Sequence, residues 1–206
     1  MLNIISPLNL IQHLDNMKPV VIDNFLSPKY FSRVKEIIDS NNFSWRFKKD
    51  ITWPNDPNDT LYSYGFDYWV IENFQSNNCD IFKILTGFYC ELLGATDCSK
   101  ISKSRVDMVT YSPEKHQHSI HVDEYFPHIA SVFYITDSDA ETILFDQQCF
   151  SYDQYFNNID LSTLNVVEKI KPKENRLLFF DGSYLHTGCS PSKYKNRIII
   201  NTDLVK

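Results

Sequence analysis

The residues from Ile101 onward contain a series of short segments with the composition of β-strands, and this pattern constrains the fold most. The segments are rich in β-branched and aromatic residues, and short polar stretches separate them. A series of short strands of this kind is typical of a two-sheet β-sandwich or jelly roll. The predicted strands are 104–111, 119–123, 129–136, 140–145, 166–171, 176–181 and 196–203.

The residues before Ile101 have a different pattern, with two helices and several extended segments. Ser27 followed by Pro28 marks the start of the first helix, because proline lacks the N–H that a first helical turn leaves unpaired. The second helix is predicted from about Asn78 to Leu93, with Gly94 as its stop. Extended segments are predicted at 18–23, 43–53 and 61–71, with a turn-rich PNDPND at 54–59.

These patterns predict a mainly β fold with a helical buttress, in a single domain of residues 1–206. Residues 1–100 would supply helical and strand support, and residues 101–206 the jelly-roll core that carries the site. A chain of 206 residues fits one domain of this class. Its hydrophobic content of 43%, with 15% aromatic residues, is sufficient for a large core.

Charge and cysteine usage restrict the partners and the compartment. A net charge of −6 with a pI near 5.5 disfavours nucleic acid, whose phosphates require a basic surface. No apolar run reaches the roughly 20 residues that span a bilayer, and the N-terminal residues lack the pattern of a signal peptide. The five cysteines are scattered without a C-x-x-C pair, which is typical of reduced thiols. We therefore expect a cytoplasmic protein without membrane attachment; the oligomeric state is left open.

His121 and Asp123 form the first part of a candidate metal site. Residues two apart in an extended segment point to the same side, so an imidazole and a carboxylate can face one point. His186 follows much later and can approach from another strand. Two histidines and one carboxylate that leave other positions open are typical of non-haem Fe(II) oxygenases. The sequence therefore predicts an iron site at His121, Asp123 and His186.

The stretch from Val106 to Leu204 resembles the prolyl-4-hydroxylase-like branch of the Fe(II)- and 2-oxoglutarate-dependent dioxygenases. The resemblance covers roughly half of the chain, and its motifs occur in the order typical of the family. A weaker similarity is present at PVVIDNFLSPKYF (19–31). The matching motifs are VDMVTYSP (106–113), HVDEY (121–125), SVFYIT (131–136), ETILF (141–145), KPKENRLLFFDGSYLHTGCSP (171–191) and RIIINTDL (197–204).

The resemblance implies a double-stranded β-helix and an enzyme that uses Fe(II), 2-oxoglutarate and O2. It places a basic anchor for the distal carboxylate of 2-oxoglutarate at the strand after the second histidine. Arg197 is the preferred anchor, because its planar fork binds a carboxylate through two hydrogen bonds. Lys193 and Lys195 are competitors. Halogenating relatives replace the carboxylate ligand with a small residue, so the presence of Asp123 favours hydroxylation or a related oxidation.

Three further residues are candidates for co-substrate binding. The resemblance implies that Tyr111 lines the pocket and that Tyr134 donates a hydrogen bond to the co-substrate carboxylate. Thr142 would add a hydroxyl group. Each tyrosine has an alternative interpretation as a core residue whose hydroxyl is satisfied elsewhere.

Two other functions remain open from the sequence. His116 and His118, followed by Glu124, loosely resemble the histidine-rich motif of cupins, which predicts a metalloenzyme that does not use 2-oxoglutarate. We expect instead that both histidines are loop residues near the mouth of the site. The second alternative is a non-catalytic jelly-roll binding module. The substrate is a small molecule or a peptide, with peptidyl proline, a free amino acid and a small metabolite all open.

Overall fold

Two antiparallel sheets, the major sheet and the minor sheet, face each other, and helices lie around them. The structure is a computed structural model that describes residues 18–52, 62–77 and 79–206. The helices are α1 (Pro28–Ile38), α2 (Asp80–Gly94) and α3 (Tyr152–Asn157). The strands are β1 (Val20–Asp23), β2 (Arg46–Lys48), β3 (Gly65–Glu72), β4 (Gln75–Ser76), β5 (Lys100–Thr110), β6 (Ile129–Tyr134), β7 (Thr142–Gln148), β8 (Val166–Ile170), β9 (Arg176–Asp181), β10 (Tyr184–Gly188) and β11 (Asn196–Val205).

The strand order places β11 and β10, which carry Arg197 and His186, in different sheets. The major sheet has the order β1-β9-β6-β11-β5-β3-β2, with β4 paired to the end of β3. The minor sheet has the order β10-β7-β8. Two isolated β-bridges extend the minor sheet beyond β10; they join Gln117 to Cys189 and His121 to His186. Chemical groups from both sheets can therefore meet in the space between them, as the predicted double-stranded β-helix requires.

The outer face of the major sheet is apolar and packs against α1 and α2. Alternate residues of the central strands, such as Val106 on β5 and Ile198 on β11, are almost completely buried there. Helix α1 contributes Val34 and α2 contributes Leu85 to the same cluster. Because successive side chains of a strand point to opposite faces, the residues between these apolar positions face the minor sheet.

The inner face of the major sheet carries charged and polar side chains near the site. Strand register places Asp67 opposite Asp107, and Trp69 opposite Arg105, across the β3–β5 pair. On the other side of β5, Asn201 of β11 lies opposite Arg105. These residues, with Lys103, Arg197 and Asp203, form what we call the charged inner face: Asp67, Trp69, Lys103, Arg105, Asp107, Arg197, Asn201 and Asp203.

Most predicted elements are confirmed, with several corrections. The strand at 176–181 has the predicted bounds, whereas β5 begins four residues before its predicted start at 104. The predicted strand at 119–123 is not a regular strand and makes one bridge, at residue 121.

Three labelled elements, β4, β10 and α3, were not predicted. Strand β10 was missed because Leu185 is its one aliphatic residue, and α3 because it buries none of its residues. The expectations for the N-terminal residues 1–17 and for the turn at 54–59 lie outside the described residues.

Among the described helices, none combines the length and apolar character needed to cross a membrane.

Candidate metal and co-substrate site

His121 and His186 are cross-strand neighbours, and this pairing builds the candidate metal site. Each backbone N–H donates to the carbonyl of the other residue over 2.9 Å. The ligand atoms of His121, Asp123 and His186 all lie within 4.8 Å of one another. Within the residues that the structure describes, this is the one group of three or more histidine, cysteine or acidic side chains with such geometry. The structure thus brings together the three predicted metal ligands.

Hydrogen bonds to the backbone fix the orientation of both imidazole rings. The Nδ1 atom of His121 lies 2.9 Å from the carbonyl oxygen of Ser119, and that of His186 lies 3.0 Å from the carbonyl oxygen of Tyr184. A carbonyl oxygen can only accept, so each Nδ1 must carry the proton and donate. The lone pair of each ring is then on Nε2, which is the tautomer that a metal-binding histidine needs.

Three polar groups surround the Asp123 carboxylate. Lys103 Nζ lies 3.5 Å from Oδ1, while His186 Nε2 and the amide nitrogen of Asn201 each lie 3.4 Å from Oδ2. Burial alone would raise the pKa of Asp123, but the positive charge of Lys103 and the contact with His186 hold it well below its usual range. Asp123 is therefore ionised at neutral pH, as a metal ligand must be.

The pKa values of His121 and His186 are shifted in opposite directions. Burial lowers the pKa of His121 to about 4, and the neighbouring His186 adds to this effect. Burial also disfavours the charged form of His186, but the contact with Asp123 outweighs it and raises the pKa. The neutral ring of His121 is ready to bind a cation. At His186, a cation would compete with the proton that the contact with Asp123 favours.

Lys103 connects Asp123 to a second buried carboxylate, Asp203. Lys103 Nζ lies 3.0 Å from Asp203 Oδ2 and also contacts Glu124 over 3.2 Å. Asp203 is fully buried, and burial together with the charge of Asp123 raises its pKa to about 6. One ammonium group thus compensates several carboxylates and holds Asp123 in position.

Arg197, Thr142 and Tyr134 form a continuous hydrogen-bonded chain between the two sheets. Arg197 Nη2 donates to Thr142 Oγ1 over 2.8 Å, and the Tyr134 and Thr142 hydroxyl oxygens are 2.7 Å apart. The guanidinium lies 5.7 Å from the centre of the Tyr134 ring. Gly188 permits this approach, since a Cβ atom there would lie 3.1 Å from Arg197 Nη1.

One cleft joins the two histidines of the triad to Arg197. Its walls include His121, His186, Thr142 and Arg197, and Tyr134 lies behind Thr142. Arg197 is buried, with 4% of its surface exposed, and its Nε has no hydrogen-bond partner. An unpaired buried N–H group is costly, which is expected if an anionic ligand completes the site. The cleft therefore has two of the triad's donors at one point and a buried cation at another.

The other predicted residues lie in different places. Tyr111 is 51% exposed and is not among the residues that line the cleft. Lys193 and Lys195 are exposed as well, so neither lies beside Thr142 as Arg197 does. His118 does line the cleft, and burial lowers its pKa to about 3, with His116 adding to the effect.

Sequence reasoning missed the positively charged residues that flank the triad. Arg105 and Asp107 lie in the predicted strand 104–111, Lys103 lies just before it, and Asn201 lies in the predicted strand 196–203. None of the four was assigned a role. The available signal was the spacing in Lys103-Ser-Arg105-Val-Asp107, where charges occupy alternate positions of a central strand. Charges at that period indicate an inner face that holds a polar ligand.

Comparisons with known proteins give structural matches but no sequence matches. No protein-family model matches the chain, and no curated protein matches it. A 2OG-Fe(II) oxygenase family oxidoreductase from Burkholderia pseudomallei aligns with a TM-score of 0.67 and 8% identity, covering 96% of this chain and 90% of that one.

Two further solved structures extend the comparison. A prolyl hydroxylase from Trichoplax adhaerens, in complex with a hypoxia-inducible-factor peptide fragment, aligns with a TM-score of 0.61 and 15% identity over 95% of this chain and 87% of that one. The α-ketoglutarate-dependent epimerase SnoN from nogalamycin biosynthesis aligns with a TM-score of 0.69 and 8% identity over 98% and 83%. Together they show that the chain has the double-stranded β-helix fold of the 2-oxoglutarate oxygenases.

Proposed function

We propose that this protein is a non-haem Fe(II) dioxygenase that uses 2-oxoglutarate and O2 to hydroxylate an organic substrate. In the balanced reaction, 2-oxoglutarate loses CO2 and becomes succinate. One oxygen atom of O2 enters succinate and the other converts a substrate C–H bond to C–OH. The observation that carries the proposal is the grouping of the His121, Asp123 and His186 donors, two of which share one cleft with the buried cation of Arg197.

The donor set fits Fe(II). His121 and His186 each offer Nε2 as the donor atom, and Asp123 offers an ionised carboxylate, which are the ligand types of the two-histidine, one-carboxylate iron sites. Bound iron would supply the activation of O2 and the oxidative decarboxylation of the co-substrate. The chain's contribution is to hold the three ligands on one side, which leaves the opposite side free for ligands.

The surroundings of Arg197 fit the distal carboxylate of 2-oxoglutarate. Arg197 and Thr142 present a guanidinium and a hydroxyl in the same cleft as the triad, and Tyr134 orients the hydroxyl from behind. A charge-assisted pair with arginine is strong where water is excluded. The co-substrate would therefore extend from the triad towards Arg197, with its keto-acid end at the metal. Tyr111 stays a prediction with no support from its position.

No observation favours the two alternative functions. His116 and His118 form no three-residue donor group with a carboxylate among the described residues, and Glu124 contacts Lys103 instead. All three proposed ligands and the proposed anchor are present, which a non-catalytic module would not need to retain. Both alternatives remain as outcomes of the experiment below.

Anaerobic visible spectroscopy tests the proposal directly. We expect wild-type protein with Fe(II) and 2-oxoglutarate to give a metal-to-ligand charge-transfer band that is lost in His186→Ala. His116→Ala is a matched control, because it removes an imidazole outside the triad and should keep the band. In the presence of O2, the same samples should form succinate that depends on both Fe(II) and 2-oxoglutarate.

Each failure has a distinct meaning. Metal binding without a charge-transfer band would point to a cupin-like enzyme that does not use 2-oxoglutarate. Equal loss of the band in His116→Ala would show that the ligand set is wrong. A folded protein that binds neither metal nor 2-oxoglutarate would be a binding module.

A further inference from the structure

Arg105 lies beside the candidate metal site, one strand away from it. In the β5–β11 pair Arg105 is directly opposite Asn201, whose amide nitrogen lies 3.4 Å from Asp123 Oδ2. Paired residues in antiparallel strands have Cα atoms about 5 Å apart. Arg197 is four residues from Asn201 along β11, which corresponds to roughly 13 Å. The cleft therefore contains two arginines, one beside the triad and one further along the sheet.

The side chain of Arg105 is held in a defined orientation. Its Nε donates to Asp107 Oδ1 over 2.5 Å, and its guanidinium lies 5.1 Å from the centre of the Trp69 ring. The side chain is 17% exposed. With Nε bound and one face stacked, the terminal nitrogens Nη1 and Nη2 are the remaining donors.

The terminal nitrogens of Arg105 have no acceptor among the described residues. Asp67, the other carboxylate on this part of the inner face, accepts from Arg46 through both of its oxygens, at 2.8 Å each. Arg105 is one of the residues that line the cleft. A partly buried guanidinium whose two terminal nitrogens donate in parallel matches the two oxygens of a carboxylate.

A second cation, Lys48, interacts electrostatically with Arg105. Burial lowers the pKa of Lys48, and the positive charge of Arg105 adds to this effect, so the two cations influence each other. Burial also disfavours the charge of Arg105, but Asp107, and at longer range Asp123 and Asp67, outweigh it and raise its pKa. Arg105 is thus always charged.

We propose that the terminal fork of Arg105 binds a carboxylate of the substrate, so that the substrate is a small carboxylic acid or free amino acid and not an internal residue of a peptide. An internal peptide residue has no carboxylate on its main chain to fill this site. A carboxylate bound at Arg105 would share the cleft with His121 and His186, where the oxidation is proposed to occur. The inference rests on the proposed function, because it takes the triad as the place of oxidation.

The experiment uses paired probes that differ in one charge. Free L-amino acids and small carboxylic acids, each beside its neutral amide, are titrated calorimetrically into anaerobic protein with Fe(II) and 2-oxoglutarate. The charge-transfer band is recorded on the same samples. We expect at least one acid to bind, and its amide to bind about tenfold more weakly or worse, because the amide cannot form the charged pair.

Substitutions then assign the carboxylate to Arg105. Arg105→Gln should weaken binding of the acid about tenfold or more. The concentration of 2-oxoglutarate needed for the charge-transfer band should stay at its wild-type value. Arg33→Gln removes the same charge from the exposed surface of α1 and should change neither quantity. If Arg105→Gln fails to fold because Asp107 is left unpaired, the neutral pair Arg105→Gln/Asp107→Asn takes its place with the same expected loss.

Several results would overturn the inference. No acid binding, equal binding of acid and amide, or full acid binding by both Arg105 variants would each do so. The inference would also fail if Arg105→Gln needed as much additional 2-oxoglutarate as Arg197→Gln does. Arg105 would then bind the co-substrate and not the substrate. Acid binding with no charge-transfer band would instead contradict the proposed function and leave the carboxylate site standing.

Discussion

The two faces of the major sheet are made by the same strands but have opposite character. On the outer face, Val106 and Ile198 pack against helices in a continuous apolar cluster. On the inner face, their direct neighbours are charged and line a cleft; Asp107 and Arg197 are buried and Arg105 is partly buried. Side chains on both faces are mostly shielded from solvent, so exposure alone does not distinguish the outer face from the inner face.

The difference indicates a division between stability and function. Apolar side chains gain free energy from burial without any partner, whereas buried charges cost free energy unless they are paired. Arg197 Nε and Asp203 Oδ1 have no hydrogen-bond partner, so the inner face is not optimised for stability. We infer that the outer face stabilises the fold and that the inner face is retained for its ligands.

Loss of a proposed metal ligand should have the largest effect on function and a small effect on stability. In Asp123→Ala we expect the affinity for Fe(II) to fall by more than about a hundredfold, because one of three ligands is removed. The melting temperature should change little, since the substitution also removes a negative charge close to the buried Asp203. Metal titration and thermal unfolding of the apoprotein measure the two effects. A large loss of stability with intact metal binding would contradict the division.

Neighbouring residues on β11 allow a direct test of the two faces. Arg197→Gln should raise the 2-oxoglutarate requirement about tenfold to a hundredfold, because a buried charged pair is lost. Ile198→Ala, one residue further along, should lower the free energy of unfolding by about 2–4 kcal/mol and leave that requirement unchanged. Charge-transfer titrations and urea unfolding of both variants give the comparison. Equal effects of the two substitutions on either quantity would show that the faces are not separate.

Lys103→Met should have an intermediate effect. Lys103 contacts Asp123 and Asp203, so its removal leaves two buried carboxylates without their common cation. We expect the Fe(II) affinity to fall about tenfold, as is typical when a group that orients a ligand is lost. Lys103→Arg should recover most of the affinity by restoring the charge. Lys100→Met, at an exposed position of the same strand, is the control and should bind iron normally.

The fold was more predictable than the full site for a physical reason. Strand period, the Pro28 helix start and the apolar core are local or repeated signals, and the structure has these elements close to the predicted bounds. His121, Asp123 and His186 were also identified, by the spacing of two of them and by the order of the motifs. The roles of Lys103 and Arg105 depend on which strands are neighbours, and a single sequence does not contain that register.

The smallest expected effect comes from a charge pair at the exposed edge of the sheet. Arg176 and Lys173 hold the pKa of Asp23 near 2, below its usual value of 3.8. Because the pKa is lowered in the folded state, the pair stabilises the protein above about pH 4 and loses its effect as the pH falls towards 2.

Asp23→Asn should therefore cost about 0.5 kcal/mol at pH 7, since the carboxylate is 38% exposed and water screens the pair. Urea unfolding of wild type, Asp23→Asn, Arg176→Gln and the double variant gives the coupling energy at each pH. The coupling should shrink as the pH is lowered from 5 towards 3. A coupling of several kcal/mol, or one that grows in acid, would contradict this expectation. It would also remove the reason for treating the buried charges of the inner face as different from ion pairs at the surface.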